Sequence, residues 1–164
     1  MDKKYNLPAS RQATKSFEQT QKIGEKFAKE IRQPADKTGL QKQAVVLALQ
    51  GELGGGKTTF LQGFAKGLSI KEKILSPTFV ILKHFKIQSA SRRTKFTDFY
   101  HIDCYRIKNK KDILELGFAE IISNPKNIVA IEWPEKIKKA LPKNTIEIKF
   151  KFVDKNKREI NFKM

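Results

Sequence analysis

The sequence has almost no cysteine, little acid and no long hydrophobic run, and each shortage closes off a class of protein. Cys104 is the one cysteine in 164 residues, which excludes an internal disulfide and a cysteine-only metal cage. No stretch approaches the roughly 18 apolar residues that a membrane span requires. The opening residues MDKKYNLPASRQATK are charged, with no apolar segment behind them. They do not read as a secretory signal, and a cytoplasmic location with no membrane contact is expected. Histidine is scarce as well. His84 and His101 have no cysteine or second histidine at metal-ligand spacing, so both are expected to be structural.

Acid is outnumbered two to one, 17 Asp and Glu against 34 Lys and Arg, for a net charge of +17. Such a charge suits a polyanionic partner such as RNA. Only six of the 34 are Arg, however, and Arg is the residue whose fork reads bases. The Lys residues are spread over the whole length, so the charge alone names no partner. Apolar residues are present in ordinary amount, 39% with 10% aromatic, enough to build one buried core.

Residues 1–15 are polar and basic and are expected to form a flexible terminus, with 16–164 as a single domain. Ser16 and Gln19 have capping-box spacing, and Phe17, Ile23, Phe27 and Ile31 recur at helical intervals, so 17–32 reads as an amphipathic helix. A polar turn over 36–43 follows. Residues 44–49 (AVVLAL) are continuously apolar, the pattern of a strand covered on both faces. A glycine-rich stretch comes next, then a helix over 58–67.

Residues 78–85 and 96–102 read as strands joined by a polar loop, and 111–122 as a helix interrupted at Gly117. A second buried strand covers 127–132 (NIVAIE). Pro134 suits a first helical turn over 134–140. Residues 145–152 and 158–162 alternate apolar with charged, as in a half-exposed hairpin. The pattern predicts one α/β domain of P-loop NTPase type, with a mostly parallel central sheet flanked by helices and antiparallel hairpin additions.

Gly51-Glu52-Leu53-Gly54-Gly55-Gly56-Lys57-Thr58 matches G-x-x-x-x-G-K-[ST] in full. Glycines let successive backbone N–H groups turn inward onto phosphates with no Cβ in the way. The helix that follows, entered through Thr58 and Thr59, adds its unpaired N–H groups and positive dipole end. In this motif Lys57 reaches the β/γ-phosphates and the Thr58 hydroxyl ligates Mg²⁺. An apolar strand before the loop and an amphipathic helix after it are the setting the motif needs. ATP and Mg²⁺ are the expected cofactors.

A P-loop site also needs a carboxylate at the end of a second buried strand. Glu132 closes the strand NIVAI and Asp103 closes FYHI. One acid is expected to hold the metal and the other to position the attacking water, with the two roles open. Asn109-Lys110-Lys111-Asp112 has the N-K-x-D form of a guanine site. The D-x-x-G element that accompanies it in GTPases occurs only at 36–39, ahead of the P-loop, so 109–112 reads as a solvated turn and ATP is favoured. His101 is placed to orient the nearby Asp103. Cys104 has no helper base and reads as a small core residue.

With these residues laid out, the chain resembles the TsaE (formerly YjeE) family, the ATPase of bacterial tRNA threonylcarbamoyladenosine (t6A) synthesis. Five segments carry the likeness in order: GELGGGKTTF from 51, SPTF from 76, YHIDCYR from 100, ELGF from 115 and IEWPEK from 131. The resemblance implies an ATPase that resets the TsaB–TsaD complex. That complex transfers to tRNA the threonylcarbamoyl group that TsaC prepares as an adenylate, so contact with tRNA is expected to be indirect.

Carried over by motif, Thr58 and Glu132 become the metal ligands and Asp103 an essential acid near the γ-phosphate, with Lys57 completing the catalytic set. Ser76 and Thr78 offer hydroxyls near the phosphates in a segment that looks like a switch, and Trp133 contacts nucleotide or partner. Glu52 stands where the family commonly has Asp, the loop over 88–95 (QSASRRTK) is long and basic, and the net charge is unusually positive. A small-molecule kinase, or an RNA-binding module with the P-loop as scaffold, remains the competing reading.

Overall fold

The computed structural model describes residues 11–33, 42–76, 80–88 and 95–163. Its centre is β2 (Val45–Gln50), β4 (Asp98–Asp103), β5 (Asn127–Glu132) and β6 (Ile146–Phe152). β2 lies between β5 and β6 and β5 pairs with β4, all in parallel. Antiparallel strands finish both sides. β3 (Leu82–Lys86) pairs with β4, while β7 (Arg158–Lys163) pairs with β6 and carries β1 (Arg11–Thr14) on its outer edge. The order across the sheet is β1-β7-β6-β2-β5-β4-β3. The expected α/β architecture, parallel at the centre with antiparallel additions, is what the structure shows.

The continuous apolar runs of β2 and β5 are explained by two covered faces. Val45, Leu47 and Leu49 of β2, with Ile128 and Ala130 of β5, pack beneath α1 (Phe17–Arg32) and α2 (Lys57–Gly67). Val46, Val129 and Ile131 point the other way, under α3 (Lys110–Leu114), α4 (Phe118–Ser123) and a 3₁₀ segment, Pro134–Ala140. Such alternation inside an all-apolar strand is the period of two that a doubly covered sheet imposes. On the α1/α2 side the core is largely aromatic. Phe27 meets Phe162 edge-on at 5.1 Å and Phe60 meets Phe150 at 5.4 Å, arrangements favoured by the ring quadrupole.

α1 begins where expected. The Ser16 hydroxyl accepts from the Gln19 backbone N–H, and the Gln19 side chain reaches back to the Lys15 N–H at 2.7 Å, so two terminal donors are satisfied. α1 then crosses α2 backbone to backbone. A Cβ on Gly63 would lie 1.9 Å from the Gln21 carbonyl oxygen, and one on Gly24 would lie 2.2 Å from that of Phe60. The helix that carries the P-loop lysine is therefore seated deep on its neighbour.

Several boundaries differ from the sequence reading. Arg11–Thr14, expected to belong to a flexible terminus, instead pairs with β7, and Thr14 is buried. A four-residue polar strand has too little pattern to be read alone; its partner makes it. β3 starts at Leu82, because Ile81 takes a left-handed φ of +64°. The interruption expected at Gly117 is found, with φ +76° between α3 and α4. The helical segment expected from Pro134 is 3₁₀, with a non-helical Ile137. The turn over 36–41, Thr78 and most of the basic loop, 89–94, lie outside the described residues. Among the described residues no helix is long and apolar enough to cross a membrane.

Candidate nucleotide site

The parallel strands deliver their C-terminal ends to one edge of the sheet, the edge where open α/β sheets hold ligands. β2 ends at Gln50 and the chain turns through Gly51 to Gly56 into α2. Two glycines here are obligatory for different reasons. Gly51 has φ +144°, and a Cβ on it would come within 2.4 Å of the Phe150 carbonyl oxygen on β6. Gly56 has φ +98° and serves as the N-cap of α2 with no side-chain cap. The first N–H groups of α2 thus remain available to an anion.

A cleft of about 460 Å³ opens at this point. Gly54, Gly55, Gly56, Lys57, Thr58 and Thr59 form its floor, and Ser76, Asp103, Glu132 and Trp133 form a wall. A larger hollow of about 640 Å³ lies at the opposite end of the strands, beside Lys42, Ala119 and Leu141. Among the described residues no acid, histidine or cysteine lines that hollow. Convergent chemistry, not size, singles out the smaller cleft.

The Lys57 ammonium is buried, donates to the Gly51 carbonyl at 2.6 Å and the Glu52 carbonyl at 2.9 Å, and lies 4.5 Å from the centroid of the Trp133 ring. Burial pulls its pKa below the ordinary lysine value, against the charges of Glu132, Asp103 and Glu135. Gly51, which does not line the cleft, thus acts on it by holding the lysine through its carbonyl.

Asp103 and Glu132 are register partners on neighbouring parallel strands, and both are buried. The Asp103 carboxylate accepts from the Ser76 hydroxyl at 2.7 Å and from the Tyr105 backbone N–H at 2.9 Å. Glu132 Oε1 accepts from the Thr58 hydroxyl at 3.3 Å and from His101 Nε2 at 2.9 Å. A carboxylate has only lone pairs to offer, so the proton of that last bond sits on Nε2. The expectation that His101 orients Asp103 is therefore corrected: its ring serves Glu132 across the strand pair. His101 and Asp103 lie two apart on one face of β4, and Glu132, the register partner of Asp103, presents its carboxylate on the same face of the neighbouring strand.

Trp133 follows Glu132 at φ +57°, a conformation rare for a bulky residue and of the kind found at functional sites. Its ring packs 5.2 Å from that of Tyr105. Cys104 is fully buried, and burial, aided by the charges of Asp103 and Glu135, pushes its thiol up to about 12. A thiol held there is not a nucleophile at neutral pH. His84 bonds Asp98 at 2.6 Å and stacks on Tyr100 at 4.6 Å, away from the cleft. Asn109 and Asp112 are spent on a capping box for α3 and do not line the cleft.

Four further residues line the cleft: Phe17, Leu53, Tyr105 and Arg158. Phe17 and Arg158 come from the two ends of the fold, and no local motif marks either. Their signal is tertiary only.

Three groups of the cleft, Thr58 Oγ1 on its floor and Glu132 and Asp103 on its wall, are hard oxygen donors, the chemistry that magnesium takes. Among the described residues no three His, Cys, Asp or Glu side chains are grouped to chelate a metal unaided. That suits an ion which keeps its waters and is shared with substrate phosphates. The glycine floor and the oxygen wall fit a magnesium–triphosphate pair.

Comparison with known proteins supplies a family and a fold neighbour. The family model described as "Threonylcarbamoyl adenosine biosynthesis protein TsaE" matches residues 14–160. A Rickettsia typhi protein named "tRNA threonylcarbamoyladenosine biosynthesis protein TsaE" is 40% identical over 119 residues, 72% of this chain and 76% of its own length. The Bacillus subtilis protein of the same name is 36% identical over 117 residues, 71% of this chain and 68% of its own. The crystal structure of Bacillus subtilis YdiB superposes with a TM-score of 0.63 at 28% identity, covering 93% of this chain and 82% of that one.

Proposed function

This chain belongs to the TsaE family, and we propose on that footing that it is a Mg²⁺-dependent ATPase of tRNA threonylcarbamoyladenosine modification, acting in the cytoplasm with the TsaB–TsaD complex and reaching tRNA through it. The observation that carries the reading is the pairing of Asp103 with Glu132 across two parallel strands, with Thr58 bonded to one acid and Ser76 to the other. A simple phosphate-binding loop has no use for two buried carboxylates.

Each residue then has a task. The N–H groups of Gly54 and Gly56 and the start of α2 bind the phosphates, while the Gly55 N–H closes the loop on the Glu52 carbonyl at 3.1 Å. Lys57 exchanges its carbonyl partners for the β/γ-phosphate oxygens. Thr58 and Glu132 would hold the metal, which would supply charge neutralisation on the phosphates. Asp103, held by Ser76 and the Tyr105 N–H, orients the water that attacks the γ-phosphate. Trp133 covers the lysine and limits water around it.

The test is phosphate release from ATP, with and without Mg²⁺ and with and without purified TsaB–TsaD. The expected result is slow metal-dependent release that the partner complex accelerates, and that Lys57→Ala abolishes. Partner-independent phosphorylation of a metabolite would replace this reading with a small-molecule kinase.

A further inference from the structure

The β6–β7 hairpin enters the nucleotide site through Arg158. This residue opens β7, is only 9% exposed and lines the cleft. Its Nε donates to the Gly54 carbonyl at 2.9 Å, across 104 residues of sequence. Its Nη1 donates to the carbonyls of Asp154 at 2.6 Å and Lys157 at 2.9 Å, both in the hairpin turn. The guanidinium carbon lies 4.6 Å from the centroid of the Phe152 ring. The side chain also runs beside Gly56, whose missing Cβ would sit 3.5 Å from Arg158 Cγ.

A phosphate-binding loop works only if successive N–H groups face inward together. Their carbonyls must then face outward, where a fixed donor can hold them in place. The carbonyl of the exposed Gly54 is held in this way by Arg158. Because the guanidinium is planar and rigid, the bond to Gly54 and the bonds to the turn are geometrically coupled. The P-loop cannot swing without dragging the hairpin turn. From the same hairpin, the Phe150 carbonyl closes on Gly51 and leaves no room for a side chain. The loop is therefore braced at both glycine-rich shoulders by strands far away in sequence.

We propose that Arg158 is a positioning residue for nucleotide: by pinning the Gly54 carbonyl to the β6–β7 turn it sets the P-loop in its anion-binding shape before nucleotide arrives. The inference rests on the nucleotide-binding reading above. Preorganisation lowers the cost of binding and leaves the chemical step largely alone. Arg158 thus acts on the affinity for ATP and ADP alike and little on turnover at saturation.

The experiment compares wild type with Arg158→Gln and Arg158→Lys, measuring ATP and ADP affinity by calorimetry, kcat and KM for hydrolysis, and amide exchange of the nucleotide-free protein. In Arg158→Gln, affinity for both nucleotides is expected to weaken about tenfold, with KM rising in step and kcat changing less than about threefold. Exchange is expected to quicken at the amides of Gly54, Gly55 and Gly56. Arg158→Lys keeps the charge and loses the fork, so it is expected to recover only a minor part of the affinity.

A folded Arg158→Gln that binds both nucleotides within about twofold of wild type overturns the proposal, since a mere staple of the hairpin lowers thermal stability without touching affinity. Full recovery by Arg158→Lys overturns it too, because bare charge would then suffice. Should Arg158→Gln fail to fold, Phe152→Leu removes the ring beneath the guanidinium and leaves every hydrogen-bond partner in place. Weaker nucleotide binding with faster P-loop exchange in that variant upholds the proposal, and wild-type values for both reject it. Wild type that binds no ATP sinks the nucleotide reading itself, whereas wild type that binds with an indifferent Arg158→Gln sinks this inference alone.

Discussion

His101 Nε2 lies 2.9 Å from Glu132 Oε1, and both side chains are buried between neighbouring parallel strands. The same carboxylate oxygen accepts from Thr58, so the histidine fixes the acid that faces the P-loop helix. Among the described residues the other ring nitrogen has no hydrogen-bond partner. His101→Leu is therefore expected to raise the Mg²⁺ concentration for half-maximal hydrolysis by about tenfold, the usual size of an outer-shell effect on a metal. Magnesium-free ADP binding should stay as in wild type. A variant with normal Mg²⁺ dependence and only a lower Tm would make His101 a core residue.

The two acids should separate by readout. Glu132→Gln is expected to raise the Mg²⁺ requirement more than it weakens magnesium-free nucleotide binding. Asp103→Asn is expected to leave nucleotide bound while hydrolysis falls about a hundredfold, the scale of a lost general base. Titrating Mg²⁺ against rate in both variants decides the matter, and swapped phenotypes would swap the roles.

The α1–α2 crossing has no room for one more carbon. Gly63→Ala puts a Cβ 1.9 Å from the Gln21 carbonyl oxygen, so the helices must part. The expected loss is about 3 kcal/mol, seen as a fall in the urea midpoint. Gly54→Ala makes a useful contrast, because nothing lies within 4 Å of its Cβ position and only its positive φ resists. A Gly63→Ala midpoint equal to that of wild type would show that α1 is not seated as described.

Acid should unfold the protein partly through Asp98. Burial pushes this carboxyl up, but hydrogen bonds from Lys86, Thr97 and His84 outweigh it and hold the group at about 2, below the ordinary 3.8. A depressed carboxyl stabilises the fold above the unfolded-state pKa, and that stability is lost as pH falls through the folded-state value. Melting temperature measured from about pH 5 down to pH 2 should therefore fall less steeply in Asp98→Asn than in wild type. Parallel curves would clear Asp98 of any part in acid unfolding.

Much of this was legible because some signals are local. The buried strands β2 and β5 were read from apolar runs that only a doubly covered sheet tolerates, and α1 from Ser16, Gln19 and its apolar stripe. The P-loop is a contiguous motif. The strand-end positions of Asp103 and Glu132 were equally plain, but not their register, because pairing is decided by the whole sheet. For the same reason the sequence points His101 at Asp103, two residues away, whereas the fold gives it Glu132. Arg158 and β1 have no local pattern: one is a lone arginine at the head of a strand, the other three polar residues and an alanine. The place of Trp133 after an acid is local, while its left-handed backbone exists only in three dimensions.

The tie between Gly54 and Arg158 has a consequence in time as well as in space. During synthesis Gly54 leaves the ribosome 104 residues before the arginine that braces it. A chain stopped after β6 carries every residue by which the motif is recognised and lacks the brace. On that proposal, nucleotide binding reaches full strength only when β7 has formed and the late hairpin has closed onto the early loop.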